Sequence, residues 1–187
     1  GNIIRLMDES FRNALIENLP KKTADNYRLI LQFPKGSAGS MMDPAVKTFP
    51  ESLTVEKAKE ILKQSGGSLK PNLLVVDDRQ KYTGMVHVQD LLRHPDQVKL
   101  KNIKEYRVIP VPANALIEDI LKEEDWKHTA EVPVVDQDGV LIGLLKKDTF
   151  DRMSSEKSKR ALSDQALSAG RALGDLYKIA LLALMRG

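Results

Sequence analysis

The sequence predicts an α/β fold in which one unit of helices and strands occurs twice, after a helical segment and before a long helix. Three observations lead to this prediction. A pattern of helix, strand, turn and strand recurs downstream of residue 41. The stretch FPKGSAGSMM, at residues 33–42, separates this pattern from a leucine- and lysine-rich start. Residues 154–187 carry a continuous heptad-like apolar pattern. Short strands that alternate with helices are typical of α/β units.

The internal repeat is the most informative feature of the chain. Its first copy contains SLTVEKAKEIL, LLVVDD and YTGMVHVQDLL, and its second copy contains ANALIEDIL, EVPVVDQDG and VLIGLLKKDTF. In each copy a helix precedes a β-branched strand that ends in aspartate, at residues 73–77 and 132–136. A turn then leads to a strand entered at a glycine, Gly84 or Gly143, and a short helix follows. We expect the two copies to pack face to face.

The segment before residue 33 predicts two short helices. Pro20 ends the first helix, and Thr23 is a candidate cap for the second. The apolar stripe of the first helix is Ile4, Met7, Phe11, Leu15 and Leu19, and that of the second is Tyr27, Ile30 and Leu31. Phe33-Pro34 and the glycines after it interrupt the helical pattern, so residues 33–42 form either a joint between domains or a tight elbow.

Residues 154–187 predict one long amphipathic helix. Its stripe follows alternating steps of four and three residues, at Leu162, Ala166, Ala169, Leu173, Leu176, Ala180 and Ala183. A helix this apolar needs a partner. Two interpretations stay open: it packs on the core of its own chain, or it contacts a second copy or a further segment.

Composition argues against several classes of function. The chain has no cysteine, so disulfides and thiolate metal sites are excluded. The net charge is only +3, and basic residues are scattered among acidic ones, which argues against a nucleic-acid partner. The longest apolar run, residues 179–185, is far shorter than the roughly 20 residues that span a bilayer. No P-loop, dinucleotide fingerprint or catalytic triad pattern is present, so we expect a binding protein rather than an enzyme.

The repeat resembles a tandem pair of CBS domains, in which an apolar strand ending in aspartate is followed by a glycine-led strand and a helix with an aspartate. GMVHVQD at residues 84–90 and GLLKKD at residues 143–148 correspond to that last segment. Leu19-Pro20 and the junction at 33–42 resemble the cytosolic region of MgtE-type magnesium transporters. The resemblance implies the end of an N domain at 1–40, CBS domains at 41–98 and 99–153, and a C-terminal helix at 154–187.

The resemblance also implies a site for ATP, ADP or AMP in each repeat. The residues at the matching positions are Asp90, His87, Lys47, Asp148, Lys146, Val132 and Pro133. The aspartates would accept hydrogen bonds from ribose hydroxyls, the lysines would pair with phosphate, and Val132-Pro133 would line the adenine. His87 and Lys146 stand where many family members have a hydroxyl residue, and Asp148 comes one residue early. Alternatively, both aspartates are helix N-caps and Val132-Pro133 are core residues.

Magnesium is the second ligand that the resemblance implies. Mg²⁺ prefers clustered carboxylates with near-octahedral geometry. The candidates are the acidic pairs Asp77-Asp78 and Glu118-Asp119, together with Asp8-Glu9 and residues 123–125. The alternative is that each pair is part of a solvated face. The three histidines lack the spacing of metal ligands.

Together these features predict a regulatory, ligand-sensing module. A ligand would reposition two CBS pairs across a homodimer that forms through the CBS pair and the C-terminal helix. The resemblance implies that magnesium transport is regulated, by a transporter domain in the same chain or in another one. It also implies a cytoplasmic location, at the inner face of the membrane if the transporter domain is attached. Two alternatives remain: a free-standing CBS nucleotide sensor that acts in trans, and a dimerisation scaffold whose ligand sites have decayed.

Overall fold

The computed structural model describes residues 7–65, 71–105, 108–122, 130–149 and 151. The chain divides into two compact units, Gly1–Lys147 and Asp148–Gly187. The C-terminal helix predicted at 154–187 and the acidic run at 123–125 lie outside the described residues. Within the described ranges, no helix has both the length and the apolar character that a membrane span requires.

In the first unit, helices and strands alternate as the repeat predicts. The helices are α1 (Glu9–Glu17), α2 (Lys21–Leu31), α3 (Ala38–Met41), α4 (Val55–Gln64), α5 (Val88–Arg93) and α6 (Ile117–Ile120), with a 3₁₀ turn at Leu100–Asn102. The strands are β1 (Thr48–Pro50), β2 (Asn72–Val76), β3 (Tyr82–His87), β4 (Val111–Pro112), β5 (Glu131–Val135) and β6 (Leu141–Lys146). Each repeat forms one sheet, in the orders β1-β2-β3 and β4-β5-β6. The first two strands of each sheet are parallel, and the third is antiparallel to the second.

The first N-terminal helix forms within the predicted segment, but it begins at Glu9, after Met7 of the predicted stripe, and its buried residue is not one of that stripe. The Asp8 carboxylate caps α1 by accepting a hydrogen bond from the backbone amide of Ser10. Phe11, which belongs to the predicted stripe, is 62% exposed, whereas Ile16 is only 3% exposed. The apolar contact between α1 and the rest of the unit is therefore centred on Ile16.

The prediction that Thr23 caps the second helix is wrong. Helix α2 begins at Lys21, with Pro20 as its N-cap residue and without a side-chain cap. The restricted backbone of Pro20 ends the helical pattern before it and precedes the next helix directly, so α2 begins three residues earlier than a Thr23 cap would place it. Ala24 and Ile30 form the buried face of α2.

The central strand of the first sheet is buried on both faces. Leu73 and Val75 pack in the core of the first repeat, together with residues of α4 and α5. Leu74, between them, packs instead with Met85 of β3 and Leu144 of β6. Since Leu144 belongs to the second repeat, this cluster confirms that the two copies pack face to face. An apolar run without alternation, LLVV, is what a strand covered on both sides requires.

The aspartate that ends each apolar strand builds the turn that follows it. Asp77 Oδ1 accepts hydrogen bonds from the amides of Arg79 and Lys81, both at 2.8 Å. Asp136 Oδ1 accepts the equivalent pair, both at 2.9 Å, in the second repeat. The repeated aspartate therefore has a structural role, because it satisfies amides that the tight turn leaves unpaired.

The two turns also join the repeats to each other. The Tyr82 amide donates to the carbonyl of Gly139 at 3.1 Å, and the Leu141 amide donates to the carbonyl of Gln80 at 3.0 Å. Gln80 and Gly139 occupy the same place in their turns, and both have positive φ, 61° and 83° respectively. A left-handed backbone strains glutamine, whereas it suits glycine.

The glycine of each repeat marks a place where the other repeat crosses the sheet. The strands begin two residues before Gly84 and Gly143, so the prediction that they are entered at glycine is wrong by that distance. Directly after each glycine, the strand pairs with a segment of the other repeat. Met85 and Glu105 exchange two backbone hydrogen bonds of 3.0 and 2.7 Å, and Leu144 and Asp43 exchange two of 3.0 and 2.8 Å.

The elbow at residues 33–42 is docked on the second repeat. The amides of Ala38 and Gly39 donate to the carbonyls of Ala115 and Ala113, both at 2.8 Å. The 3₁₀ turn Leu100–Asn102 makes the equivalent pair of bonds, at 2.8 and 3.0 Å, to the first repeat. Each repeat is thus preceded by a short helical turn that belongs structurally to its twin.

A partly buried ion pair adds to these backbone contacts. Lys104 Nζ lies 2.6 Å from Glu51 Oε2, and the Lys104 side chain is 9% exposed. This hydrogen bond holds the pKa of the Glu51 carboxyl below its usual value. It ties the end of β1 to the segment that leads into the second repeat.

We expect Gln80→Gly to raise the free energy of unfolding by about 0.5–1 kcal/mol, because relief of left-handed strain exceeds the added entropy of the unfolded chain. Urea unfolding measures this difference. Gly139→Ala, at the matching turn, should lower the free energy of unfolding. If Gln80→Gly were only as stable as the wild type, Gln80 would not be strained in its left-handed conformation.

We expect Gly84→Ala to destabilise the fold by about 2 kcal/mol or more, because its Cβ would lie 2.9 Å from the backbone oxygen of Glu105 at a φ of 140°. At Gly143 the Cβ would meet the flexible side chain of Met42 instead. Met42→Ala should therefore relieve part of the cost of Gly143→Ala but none of the cost of Gly84→Ala. A double-mutant cycle by urea unfolding tests this difference, and equal relief at both glycines would refute it.

We expect the Glu51–Lys104 pair to make stability depend on acidity. Because the folded-state pKa of Glu51 is lowered, its contribution is present above the usual glutamate pKa and is lost as pH falls through the lowered value. Between about pH 7 and about pH 3, Tm should fall less in Glu51→Gln than in the wild type. The exposed Glu60→Gln is the control, and a Tm profile in Glu51→Gln as steep as in the wild type would rule out the linkage.

Candidate functional site

One end of the first sheet gathers the nucleotide-site residues that the sequence predicts for the first repeat. Lys47 directly precedes β1, His87 ends β3, and Asp90 lies in the first turn of α5. Since β1 and β2 are parallel and β3 is antiparallel, the starts of β1 and β2 meet the end of β3 at one edge. Neighbouring strands lie about 5 Å apart, so this edge has the width of a small ligand.

Asn72 stands in the middle of this edge and was not among the predicted residues. It begins β2 and is the register partner of His87. Its Oδ1 atom is buried and accepts no hydrogen bond from the described residues. A buried amide oxygen without a donor costs about 1–3 kcal/mol, so a ligand hydroxyl or amino group is stabilised at this position. Its signal in the sequence is slight: a polar residue at the start of an apolar strand.

Lys47 provides positive charge at the same edge. Its exposed ammonium donates to Ser65 Oγ at 2.6 Å and lies 5.7 Å from the centre of the Phe49 ring. Neither partner is an anion, so a phosphate group can take the ammonium without breaking an ion pair.

Asp90 supplies a carboxylate that is mostly sheltered. Its side chain is 20% exposed and lies 3.5 Å from the guanidinium of Arg93. The alternative that Asp90 is an N-cap is wrong, because His87 occupies the N-cap position and α5 has no side-chain cap. Asp90 is the third residue of the helix, where the helix dipole favours a negative charge. His87 itself is exposed.

The second repeat does not reproduce this set of side chains. Its cross-strand pair at the equivalent edge is Glu131 with Lys146, where the first repeat has Asn72 with His87. Lys146 Nζ forms an ion pair of 2.8 Å with Asp43 Oδ2, which belongs to the segment crossing from the first repeat. The lysine that was predicted to bind phosphate is therefore already paired with a carboxylate.

The aspartate of the second repeat is displaced along the chain. The amides of Val88 and Lys147 make the same hydrogen bond, to the carbonyls of Pro71 and Ala130, so these two positions are equivalent. Asp90 lies two residues after Val88, and Thr149 lies two residues after Lys147. Asp90 therefore corresponds to Thr149. Asp148 is exposed and is the first residue of the second unit.

Val132 and Pro133 are fully buried in β5. Val132 pairs with Leu145 and Pro133 pairs with Leu144 on β6. Both are core residues in this structure, as the alternative interpretation expects.

The acidic pairs Asp77-Asp78 and Glu118-Asp119, both candidates for Mg²⁺, lie on different elements. Asp77 uses Oδ1 for the turn after β2, and Asp78 next to it is exposed. Glu118 and Asp119 lie on α6, where Asp119 pairs with Lys122 at 2.7 Å and raises the pKa of that lysine. Across the described ranges, no three histidine or acidic residues come together as a metal site. These carboxylates therefore do not by themselves fit Mg²⁺.

Comparison with known proteins agrees with this fold. The CBS domain family matches residues 38–96. The magnesium transporter MgtE of Thermus thermophilus is 22% identical over 160 residues, which cover 83% of this chain and 35% of that protein. The chain thus spans about a third of the length of that relative.

Two solved structures share the architecture. The cytosolic domain of the Mg²⁺ channel MgtE in complex with ATP aligns with a TM-score of 0.71 and 21% identity, over 80% of this chain and 61% of that one. The soluble part of a magnesium transporter aligns with a TM-score of 0.73 and 22% identity, over 82% of this chain and 61% of that one. The chain therefore contains a CBS domain at residues 38–96, has the fold of the cytosolic domain of MgtE, and is similar in sequence to MgtE magnesium transporters.

Proposed function

We propose that this chain is the ligand-sensing module of an MgtE-type magnesium transporter, or a soluble relative of one, and that it responds to an adenine nucleotide, to Mg²⁺ or to both. It acts by binding rather than by catalysis. It works in the cytoplasm as a homodimer and regulates a transporter domain in cis or in trans. The relationship to MgtE proteins, and the ATP complex of one of them, support this proposal.

The buried oxygen of Asn72, which accepts no hydrogen bond from the described residues, is the observation that carries the nucleotide part of the proposal. It lies at the sheet edge that also presents Lys47 and Asp90. The oxygens of Asn72 and Asp90 can accept hydrogen bonds from the hydroxyl and amino groups of a nucleoside, and the ammonium of Lys47 can bind its phosphate. The second repeat has Glu131 and an ion-paired Lys146 instead, so we place the nucleotide in the first repeat.

The ligand would act by changing how the two repeats are held together. Each repeat completes the sheet of the other, so a shift at one edge is transmitted to the twin. A ligand can shift that arrangement only to the extent that it binds one state more tightly than the other.

Isothermal titration calorimetry with ATP, ADP and AMP, each with and without Mg²⁺, tests this function. We expect one nucleotide to bind per chain. Asn72→Ala and Asp90→Ala should each weaken binding about 10- to 100-fold, the equivalent of losing one hydrogen bond to a buried or charged group. Thr149→Ala, at the matching position of the second repeat, is the control and should bind like the wild type.

The other results of that titration identify the alternatives. Binding that survives in both variants would remove the nucleotide from this edge. Heat from Mg²⁺ alone, with none from nucleotides, would leave a pure cation sensor. No heat from any of them would favour a dimerisation scaffold, for which the replaced side chains of the second repeat are the supporting observation.

A further inference from the structure

A cleft between α1 and α2 is separate from the sheet edge described above. It encloses about 370 Å³, and two arginines, Arg12 and Arg28, line it from opposite helices. The amides Asn13 and Gln32 and the apolar side chains of Ile16 and Leu31 complete most of its wall. Two arginines next to the apolar side chains of Ile16 and Leu31 are an unusual combination, because arginine on a surface helix is usually exposed to water.

Arg12 is the least satisfied group in this cleft. Its side chain is only 23% exposed, and its acidic neighbour, Glu9, lies 4.0 Å away and is itself 80% exposed. Its Nε atom is buried and donates to no acceptor among the described residues. A guanidinium keeps its charge in proteins, so a buried N–H of this kind is unfavourable until an acceptor reaches it.

The other charged groups in the cleft limit how much negative charge the acceptor can carry. Arg28 is 52% exposed and already pairs with Asp25 at 3.0 Å, so it adds only part of a positive charge. Glu17 also lines the cleft and repels further negative charge. The site therefore suits a single oxyanion rather than a polyphosphate. Ile16, at 3% exposure, and Leu31 provide a contact for carbon atoms next to that oxyanion.

We propose that the cleft between α1 and α2 binds a small aliphatic carboxylate. The carboxylate lies against the guanidinium of Arg12 and accepts two hydrogen bonds from it, the planar pairing that guanidinium and carboxylate share. Its short apolar chain packs on Ile16 and Leu31. This site is independent of the proposed nucleotide response, because it uses neither strand edges nor residues of the repeats.

Titration of hexanoate into the intact chain, followed by the ¹H–¹⁵N signal of the Arg12 side chain, tests this site. We expect a saturable shift of the Arg12 Nε–H resonance with hexanoate, and at least tenfold weaker binding of acetate and inorganic phosphate, which lack the apolar chain. Arg12→Gln removes this signal, so its binding of hexanoate is followed from the backbone amide resonances of α1 and α2, and it should be at least tenfold weaker. Arg79→Gln, which removes an exposed arginine from the β2–β3 turn, should leave it unchanged.

Three results would overturn the proposal: no saturable shift with hexanoate, equal binding by Arg12→Gln, or phosphate binding as tightly as hexanoate. If Arg12→Gln fails to fold, as judged by circular dichroism, Leu31→Ser takes its place. That change should weaken hexanoate binding but not that of acetate, and equal weakening of both would also overturn the proposal.

Discussion

The structure depends on two reciprocal crossings of backbone between the repeats. Each three-stranded sheet ends in a strand whose outer edge would expose unpaired amides and carbonyls. The segment around Glu105 covers this edge on β3, and the segment around Asp43 covers it on β6. Gly84 and Gly143 allow the approach, since a side chain at either position would meet the crossing segment. Neither repeat is complete without the other, because each supplies the hydrogen bonds that the other lacks.

This exchange also determines how the N-terminal helices connect to the pair. The elbow binds the second repeat through Ala38 and Gly39, although it is followed in sequence by the first. The candidate ligand edge, at Asn72, belongs to the first repeat. A ligand there therefore reaches the N-terminal helices through the contact between repeats, which packs Leu74 against Leu144. Such a packed contact tends to have discrete arrangements rather than a continuous range, and this suits a regulatory module.

The two repeats have the same backbone fold but different side chains at the ligand edge. Backbone pairing, the aspartate turns and the apolar strands are common to both, because the fold fails without them. The side chains at the ligand edge carry no such constraint: Asn72 and Asp90 of the first repeat correspond to Glu131 and Thr149 of the second. The fold therefore preserves two equivalent positions while only the first keeps acceptors and a cation that suit a nucleotide.

The sequence by itself determined the α/β class, the repeat, the order of the elements and the relation to CBS domains. These follow from local patterns: apolar runs, turn residues and glycine positions that each element needs for its own hydrogen bonds. The resemblance to CBS domains also predicted Lys47, His87 and Asp90 as site residues, and the structure brings these three to one end of the first sheet. The sequence did not distinguish the acidic pairs as Mg²⁺ ligands, because adjacent acidic residues on turns and on helices look alike.

Only the tertiary structure decided that the elbow docks on the distant repeat, that Asp77 serves a turn, and that Asn72 presents a buried acceptor. It also placed Arg12 in a cleft where its Nε atom is buried and donates to no acceptor among the described residues. Each of these facts depends on residues that are far apart in sequence or on which face of an element is covered. Burial and hydrogen-bond partners are properties of the assembled fold, and local patterns do not record them.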